Sequence, residues 1–141
     1  MKEEELKKLC RKEGRFKLSS GKISDHYYDL KELYCKEPNS VLSYFDERIW
    51  QTRFDMFASI ELGGAMIASG LAARFDKKLA ILRKGRESIN KPTVGSRVII
   101  IDDVSTTGAS IERIEDWCEE AEIVKVIVGI YRSNKWGKKQ K

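Results

Sequence analysis

Residues 98–110 read VIIIDDVSTTGAS, in which an apolar run meets Asp102 and Asp103 and then a loop of hydroxyls and glycine. Adjacent carboxylates repel, so the pair makes chemical sense where a hydrogen-bond donor or a cation offsets it. A sugar diol is one such partner; Mg2+ is another. The loop supplies Ser105, Thr106, Thr107, Gly108, Ala109 and Ser110 and leads into a helical pattern. The first amides of a helix have no intrahelical acceptors, and its start carries partial positive charge. With the hydroxyls, and with Gly108 allowing close backbone approach, those amides suit a phosphate monoester. Acids beside a phosphate nest fit a phosphorylated pentose.

Two other acid-bearing motifs do not fit. A nucleoside triphosphatase needs GxxxxGK[ST] upstream, and the sequence has none. A signalling receiver domain would place its acid pair early in the chain, with a phosphoacceptor aspartate after a later strand. Taken singly, Asp102 in a turn and Ser105 or Thr106 as a helix cap would need no ligand; the combination within one short segment favours function.

Elements of alternating type must position this segment. Leu6, Leu9 and Cys10 at helical spacing predict a short amphipathic helix over residues 2–13, ending at Gly14. RFKLSSGKISDHYYDL reads as a hairpin or extended arm about a Ser-Ser-Gly-Lys turn. Val41, Leu42, Phe45, Ile49 and Trp50 predict a helix capped by Asn39 or Ser40 and running to about Gln51. Then FDMFASI, KLAIL, RVIIID and IVKVIVGIY read as strands, with GAMIASGLAARF and ASIERIEDWCEEA as helices between them. This alternation predicts an α/β fold with a mostly parallel sheet. Ligands of such sheets bind beyond the carboxyl ends of the strands. Residues 61–64, 83–96 and 102–110 are therefore expected on one rim.

The 141 residues suit one domain with a real core. The composition, 41% hydrophobic and 35% charged, is that of a folded, heavily charged chain. No apolar run approaches the roughly 20 residues of a membrane helix, and MKEEELKKLC lacks the apolar stretch of a secretory signal, so a cytoplasmic protein with no membrane partner is expected. Cys10, Cys35 and Cys118 are widely spaced and form no CxxC pair, which predicts neither a disulfide framework nor a zinc site. The net charge of +5 owes much to NKWGKKQK. A solvated basic tail over residues 135–141 is the reading, with no nucleic-acid partner.

VIIIDDVSTTGAS resembles the phosphoribosyl diphosphate (PRPP) signature of the type I phosphoribosyltransferases. The resemblance implies one domain over residues 1–141: a mostly parallel twisted sheet flanked by helices, with a small N-terminal helix and extended arm in residues 1–35. It implies that Asp102 and Asp103 hold the ribose hydroxyls, and that Ser105, Thr106, Thr107, Gly108, Ala109 and Ser110 cradle the 5′-phosphate. FKLSSGKISDHYYDLK is similar to the FxLxSGxxSxYYxD arm of orotate phosphoribosyltransferases, which would bring His26, Tyr27 and Tyr28, with Thr106, to a pyrimidine. An exposed loop position for His26 and core packing for the tyrosines remain open. IELGGAMIASGLA resembles the diphosphate loop, implying Glu61, Leu62, Gly63 and Gly64; a glycine pair is also a common tight turn. ILRKGRE is similar to the strand end whose basic residues meet the diphosphate, implying Arg83, Lys84 and Arg86; a solvated basic turn is the alternative. VGIYRSNKWG resembles the strand bearing an aspartate-arginine pair, with Arg132 facing the orotate carboxylate and Tyr131 in place of the aspartate.

The implied activity is phosphoribosyl transfer from PRPP to a pyrimidine base, orotate, giving orotidine 5′-monophosphate and diphosphate. Asp102, Asp103, Arg83, Lys84 and Arg86 form the implied catalytic set. Mg2+ would come with the substrate, Asp102 or Asp103 serving as its protein ligand, and a homodimer is expected. The pattern departs from the family in two places. GRESINKPTVGS is shorter than the usual mobile loop and has no histidine, and few residues follow Arg132. These departures predict slow turnover and leave a PRPP-binding regulatory homologue as the alternative.

Overall fold

The computed structural model describes residues 1–18 and 20–132; the predicted basic tail lies outside them. The chain begins with helix α1 (Glu3–Cys10), a hairpin of β1 (Arg11–Lys17) and β2 (Ile23–Tyr28), and helices α2 (Leu30–Lys36) and α3 (Pro38–Ile49). There follow β3 (Met56–Ile60), α4 (Gly63–Phe75), β4 (Lys78–Leu82), β5 (Arg97–Ser105), α5 (Ala109–Trp117) and β6 (Glu122–Tyr131). The last four strands form a parallel sheet in the order β4-β3-β5-β6.

Both faces of this sheet are covered, as a parallel sheet requires. Side chains alternate along a strand, so Phe57, Ile99 and Ile101 join one core with Phe45, Ile67 and Leu71 of α3 and α4. Met56, Ala58, Ile60, Val98 and Ile100 face the other way, onto Ile114 of α5 and Cys118. Continuous apolar strands such as MFASI and VIII are the consequence.

Several elements depart from the sequence reading, and α5 ends at Trp117 rather than at Ala121. Helix α1 stops at Cys10, because residues 11–13 pair with β2, from Arg11 opposite Tyr28 to Glu13 opposite His26. Helix α2 was not anticipated; Asp29 caps it, its Oδ1 accepting the Glu32 amide at 3.2 Å. Helix α3 starts at Pro38 rather than after Asn39 or Ser40, since proline at the first helical position loses no intrahelical bond and has a suitable φ. Strand β5 continues past the acid pair to Ser105, because β6 is long enough to pair with it as far as Tyr131.

The arm is the expected hairpin. Leu18 and Lys22 close its turn through a 2.8 Å bond, with Gly21 at φ 88°, where a side chain would be strained. Glu3 of α1 reaches the far end of the sheet, its carboxylate accepting the Tyr131 amide at 3.1 Å.

Candidate active site

From β3 the chain leaves through α4 toward β4, and from β5 it leaves through α5 toward β6 on the opposite face. The strand order therefore reverses between β3 and β5. Such a switch point leaves a crevice outside the carboxyl ends of the strands, where ligands of open α/β sheets bind. Ladder pairing of β3 with β5 lapses after Ala58 opposite Ile100. The Ser59 hydroxyl takes over, donating to the Ile101 carbonyl at 2.7 Å at the floor of the crevice.

Asp102 and Asp103 stand on one wall. Asp102 is only 4% exposed, and its Oδ1 accepts the Asp103 amide at 2.9 Å. Burial, followed by the neighbouring Asp103 charge, pushes its pKa well above the ordinary carboxylate range; Lys84 pulls the other way. A buried carboxyl of this kind takes its charge when a hydrogen-bond donor or cation arrives.

Gly63 and Gly64 form the other wall at the start of α4, and their missing side chains are what let the walls meet. A Cβ on Gly64 would lie 2.6 Å from Ser59 Oγ and 3.0 Å from Asp102 Oδ1. A Cβ on Gly63 would collide with the Asp103 carboxylate and come within 2.7 Å of Lys31 Cγ. The glycine pair is thus more than a turn. It brings a helix start, with its unpaired amides, against two carboxylates.

Ser105, Thr106, Thr107, Gly108, Ala109 and Ser110 surround a cavity of about 50 Å³ together with Asp102 and Val104. Gly108 takes φ 84° at the N-cap of α5 and has no side chain with which to cap the helix. The Thr107 hydroxyl accepts the Ala109 amide at 3.3 Å. Amides of the first turn beyond it point toward the cavity end of the helix, as an anion site requires. Ser105 is the last residue of β5 and is buried, so it forms the base of the nest rather than part of its loop.

The basic residues lie on the flank. Arg83 Nε donates to Glu61 Oε1 at 3.0 Å, joining the ends of β3 and β4, while Leu62 is exposed. Lys84 and Arg86 are exposed in a short turn. Reciprocal 2.9 Å bonds between Ile81 and Ile89 tie that turn back onto β4.

The arm covers the remaining side. Arg132 donates from its backbone to the Ser105 carbonyl at 2.9 Å, which fixes it beside the nest. Its guanidinium stands 5.3 Å from the Tyr28 ring centroid and donates to Ser24 Oγ at 3.0 Å, to His26 Nε2 at 3.1 Å and to the His26 carbonyl at 3.4 Å. His26 is therefore part of a network. Tyr28 is 9% exposed and belongs to the core, whereas Tyr27 is half-buried, its ring 5.6 Å from that of Phe16. Lys31 links Tyr27 to the glycine wall by donating to its hydroxyl at 2.9 Å.

Ser59 and Lys31 were missed in the sequence. Ser59 is the one polar residue in the buried strand MFASI. Lys31 is a cation in the first turn of a helix, where its charge opposes the helix dipole. Both are local anomalies that serve the crevice.

A phosphoribosyl transferase domain model matches residues 41–141. The chain is 35% identical to the orotate phosphoribosyltransferase of Pyrococcus furiosus over 140 residues, covering 90% of this chain and 77% of that protein. The solved structure of orotate phosphoribosyltransferase from Aeropyrum pernix superposes with a TM-score of 0.77 at 28% identity, covering 94% of this chain and 82% of that one. Leishmania donovani UMP synthase gives 0.73 at 29% identity over 88% of this chain, which spans only 30% of that larger protein.

Proposed function

Because the chain belongs to the phosphoribosyltransferase family, among the orotate phosphoribosyltransferases, we propose that it moves the phosphoribosyl group of PRPP onto orotate, releasing diphosphate and forming orotidine 5′-monophosphate. One observation carries this reading. The acid pair stands at the sheet's switch point, between two helix starts that each present unpaired amides to an anion.

Each part of PRPP then has a place. The 5′-phosphate lies in the nest of Ser105, Thr106, Thr107, Gly108, Ala109 and Ser110, and the ribose hydroxyls donate to Asp102 and Asp103. The diphosphate lies over Glu61, Leu62, Gly63 and Gly64, with Arg83, Lys84 and Arg86 on its flank. Tyr27, Thr106 and Arg132 face the base, with the buried Tyr28 packed against the Arg132 guanidinium. As the bond from ribose C1 to the diphosphate oxygen lengthens, negative charge grows on the leaving group and the base nitrogen closes on C1. The fixed amides and basic side chains stabilise that growing charge, and the arm holds the base in line.

The donor set fits Mg2+ as a companion of the substrate. Among the described residues no three His, Cys, Asp or Glu side chains gather about one point, but two hard carboxylate oxygen donors stand side by side. Asp102 or Asp103 would hold the ion while the substrate's oxygens complete its shell. Bound there, it would neutralise charge on the diphosphate. The protein works in the cytoplasm, in keeping with its charged composition; among the described residues no helix is long and apolar enough to cross a membrane.

Turnover with orotate, PRPP and Mg2+ tests the proposal, read as diphosphate release. No product at saturating substrates would overturn it and return the regulatory alternative, which the enzyme names of the relatives do not favour. The rate is expected below that of relatives, since the turn carrying Lys84 and Arg86 is tied to β4 and has little reach over the crevice. In the same assay, Arg132→Ala is expected to raise the orotate KM about tenfold to a hundredfold with little change in the PRPP KM, because it removes charge-assisted hydrogen bonds to a carboxylate. Ser24 and His26 hold that guanidinium in the meantime, and a carboxylate displaces them. An unchanged orotate KM would remove Arg132 from the base site.

A homodimer is also proposed. Leu62, Ile89 and Val94 are 62%, 49% and 76% exposed, and a second copy would cover such apolar surface. Light scattering should find twice the 16.2 kDa chain mass. A single-chain mass at high concentration would refute the dimer.

A further inference from the structure

We propose that Lys31 is a diphosphate-binding residue, its stem against Gly63 and its ammonium oriented by the Tyr27 hydroxyl; this rests on the transferase reading above and deepens it.

Placement is the first argument. Lys31 is the second residue of α2, where a cation meets the positive end of the helix, so secondary structure does not call for it there. Its stem instead lies on the diphosphate wall. The same point in space beside Gly63 is bounded by Lys31 Cγ and by the Asp103 carboxylate, so the lysine, the glycine and the acid converge on one spot.

Its partners are the second argument. Nζ donates to Tyr27 Oη at 2.9 Å and stands 5.3 Å from that ring's centroid, and both contacts orient an ammonium without neutralising it. The nearest carboxylate, Asp29, is 3.6 Å away and also serves Lys12 at 3.2 Å and the Glu32 amide at 3.2 Å. An ammonium has three donors, and this one has an uncommitted share of them. Burial opposes its charge, yet Tyr27, Asp103 and Asp29 together raise its pKa, so it is a cation at neutral pH. A cation held by a phenol and a π face can turn to a diphosphate oxygen with little reorganisation. Arg83, by contrast, already has Glu61 as its partner.

Lys31 makes and breaks no covalent bond in this scheme. Its attraction strengthens as the diphosphate gathers charge, so it should act on both PRPP binding and the chemical step.

Calorimetry with inorganic diphosphate plus Mg2+, and steady-state kinetics with PRPP, test the assignment in Lys31→Met, Lys31→Gln and Lys31→Arg. Methionine keeps the stem against Gly63 and glutamine guards against a folding failure of the first variant. Diphosphate binding and the PRPP KM are expected to weaken about tenfold or more in both, with the orotate KM within about twofold and substantial recovery in Lys31→Arg. A merely structural lysine would not separate the two substrates in this way. Wild-type affinity for diphosphate and PRPP in Lys31→Met or Lys31→Gln overturns the assignment while leaving the transferase reading intact. A wild-type protein that binds neither ligand overturns both.

Discussion

Asp102→Asn combined with Asp103→Asn is expected to weaken PRPP binding by a hundredfold or more and, at the same time, to make the ligand-free protein more resistant to heat. The first effect follows from the acceptors lost. A hydrogen bond to a charged group contributes about 1.5–3 kcal/mol, and two carboxylates facing one diol lose at least one such bond each. The second follows from burial. Asp102 sits 4% exposed with Asp103 at its side, and its pKa is raised by that burial and that charge. In the native state it therefore holds its proton at pH values where the unfolded chain has released one. Stability falls with pH wherever the native state binds more protons, so the contribution is full below the unfolded pKa and is lost as pH rises through the folded one. Asparagine does not titrate. The variant should match wild type in acid and gain on it toward neutral pH, where a melting temperature higher by about 3 °C or more is expected. Calorimetric binding and thermal melts across that range check both halves. Equal PRPP affinity would remove the acid pair from the ribose site, and a variant that melts earlier at neutral pH would contradict the account of Asp102's burial.

Gly63→Ala should cost the enzyme about a hundredfold in turnover while leaving its melting temperature close to wild type. Alanine is a better helix former than glycine, so at the first residue of α4 the local backbone gains. The added Cβ, however, needs the space held by the Asp103 carboxylate and the Lys31 stem. Both are side chains and can move. Moving them displaces a ribose acceptor by about 1 Å, a misplacement that costs on the order of a hundredfold in rate. Gly64→Ala behaves differently, because its Cβ would lie 3.1 Å from the Asp102 backbone as well as 2.6 Å from Ser59 Oγ. The backbone cannot step aside, so that variant should lose stability along with activity. Parallel melts and turnover assays separate the two, and a fully active Gly63→Ala would show that Asp103 has no fixed position to lose.

The sequence by itself determined the parallel α/β plan and the chemistry of the rim. Continuous apolar runs such as VIII and MFASI call for a sheet covered on both faces, and glycine and hydroxyl residues at strand ends mark where the chain must turn beside an anion. These are local signals, written in residue type and spacing along a few positions. Boundaries that depend on a partner strand were not legible in this way: residues 11–13 became strand because β2 lies beside them, and β5 ran on to Ser105 because β6 extends to Tyr131. The site shows the same division. Asp102, Asp103 and the nest are legible because they are contiguous. That Gly63 and Gly64 are small to admit those very carboxylates, that Ser59 closes the gap between diverging strands, and that Lys31 reaches the glycine wall were decided only by the tertiary structure. Each joins residues distant in the chain, and shape complementarity across a crevice leaves no periodic trace in the sequence of either wall. Arg132 belongs to both accounts. Its place at the end of a buried strand could be read from IVKVIVGIY, but its hold on Ser24 and His26 exists because the folded arm lies across the end of the sheet.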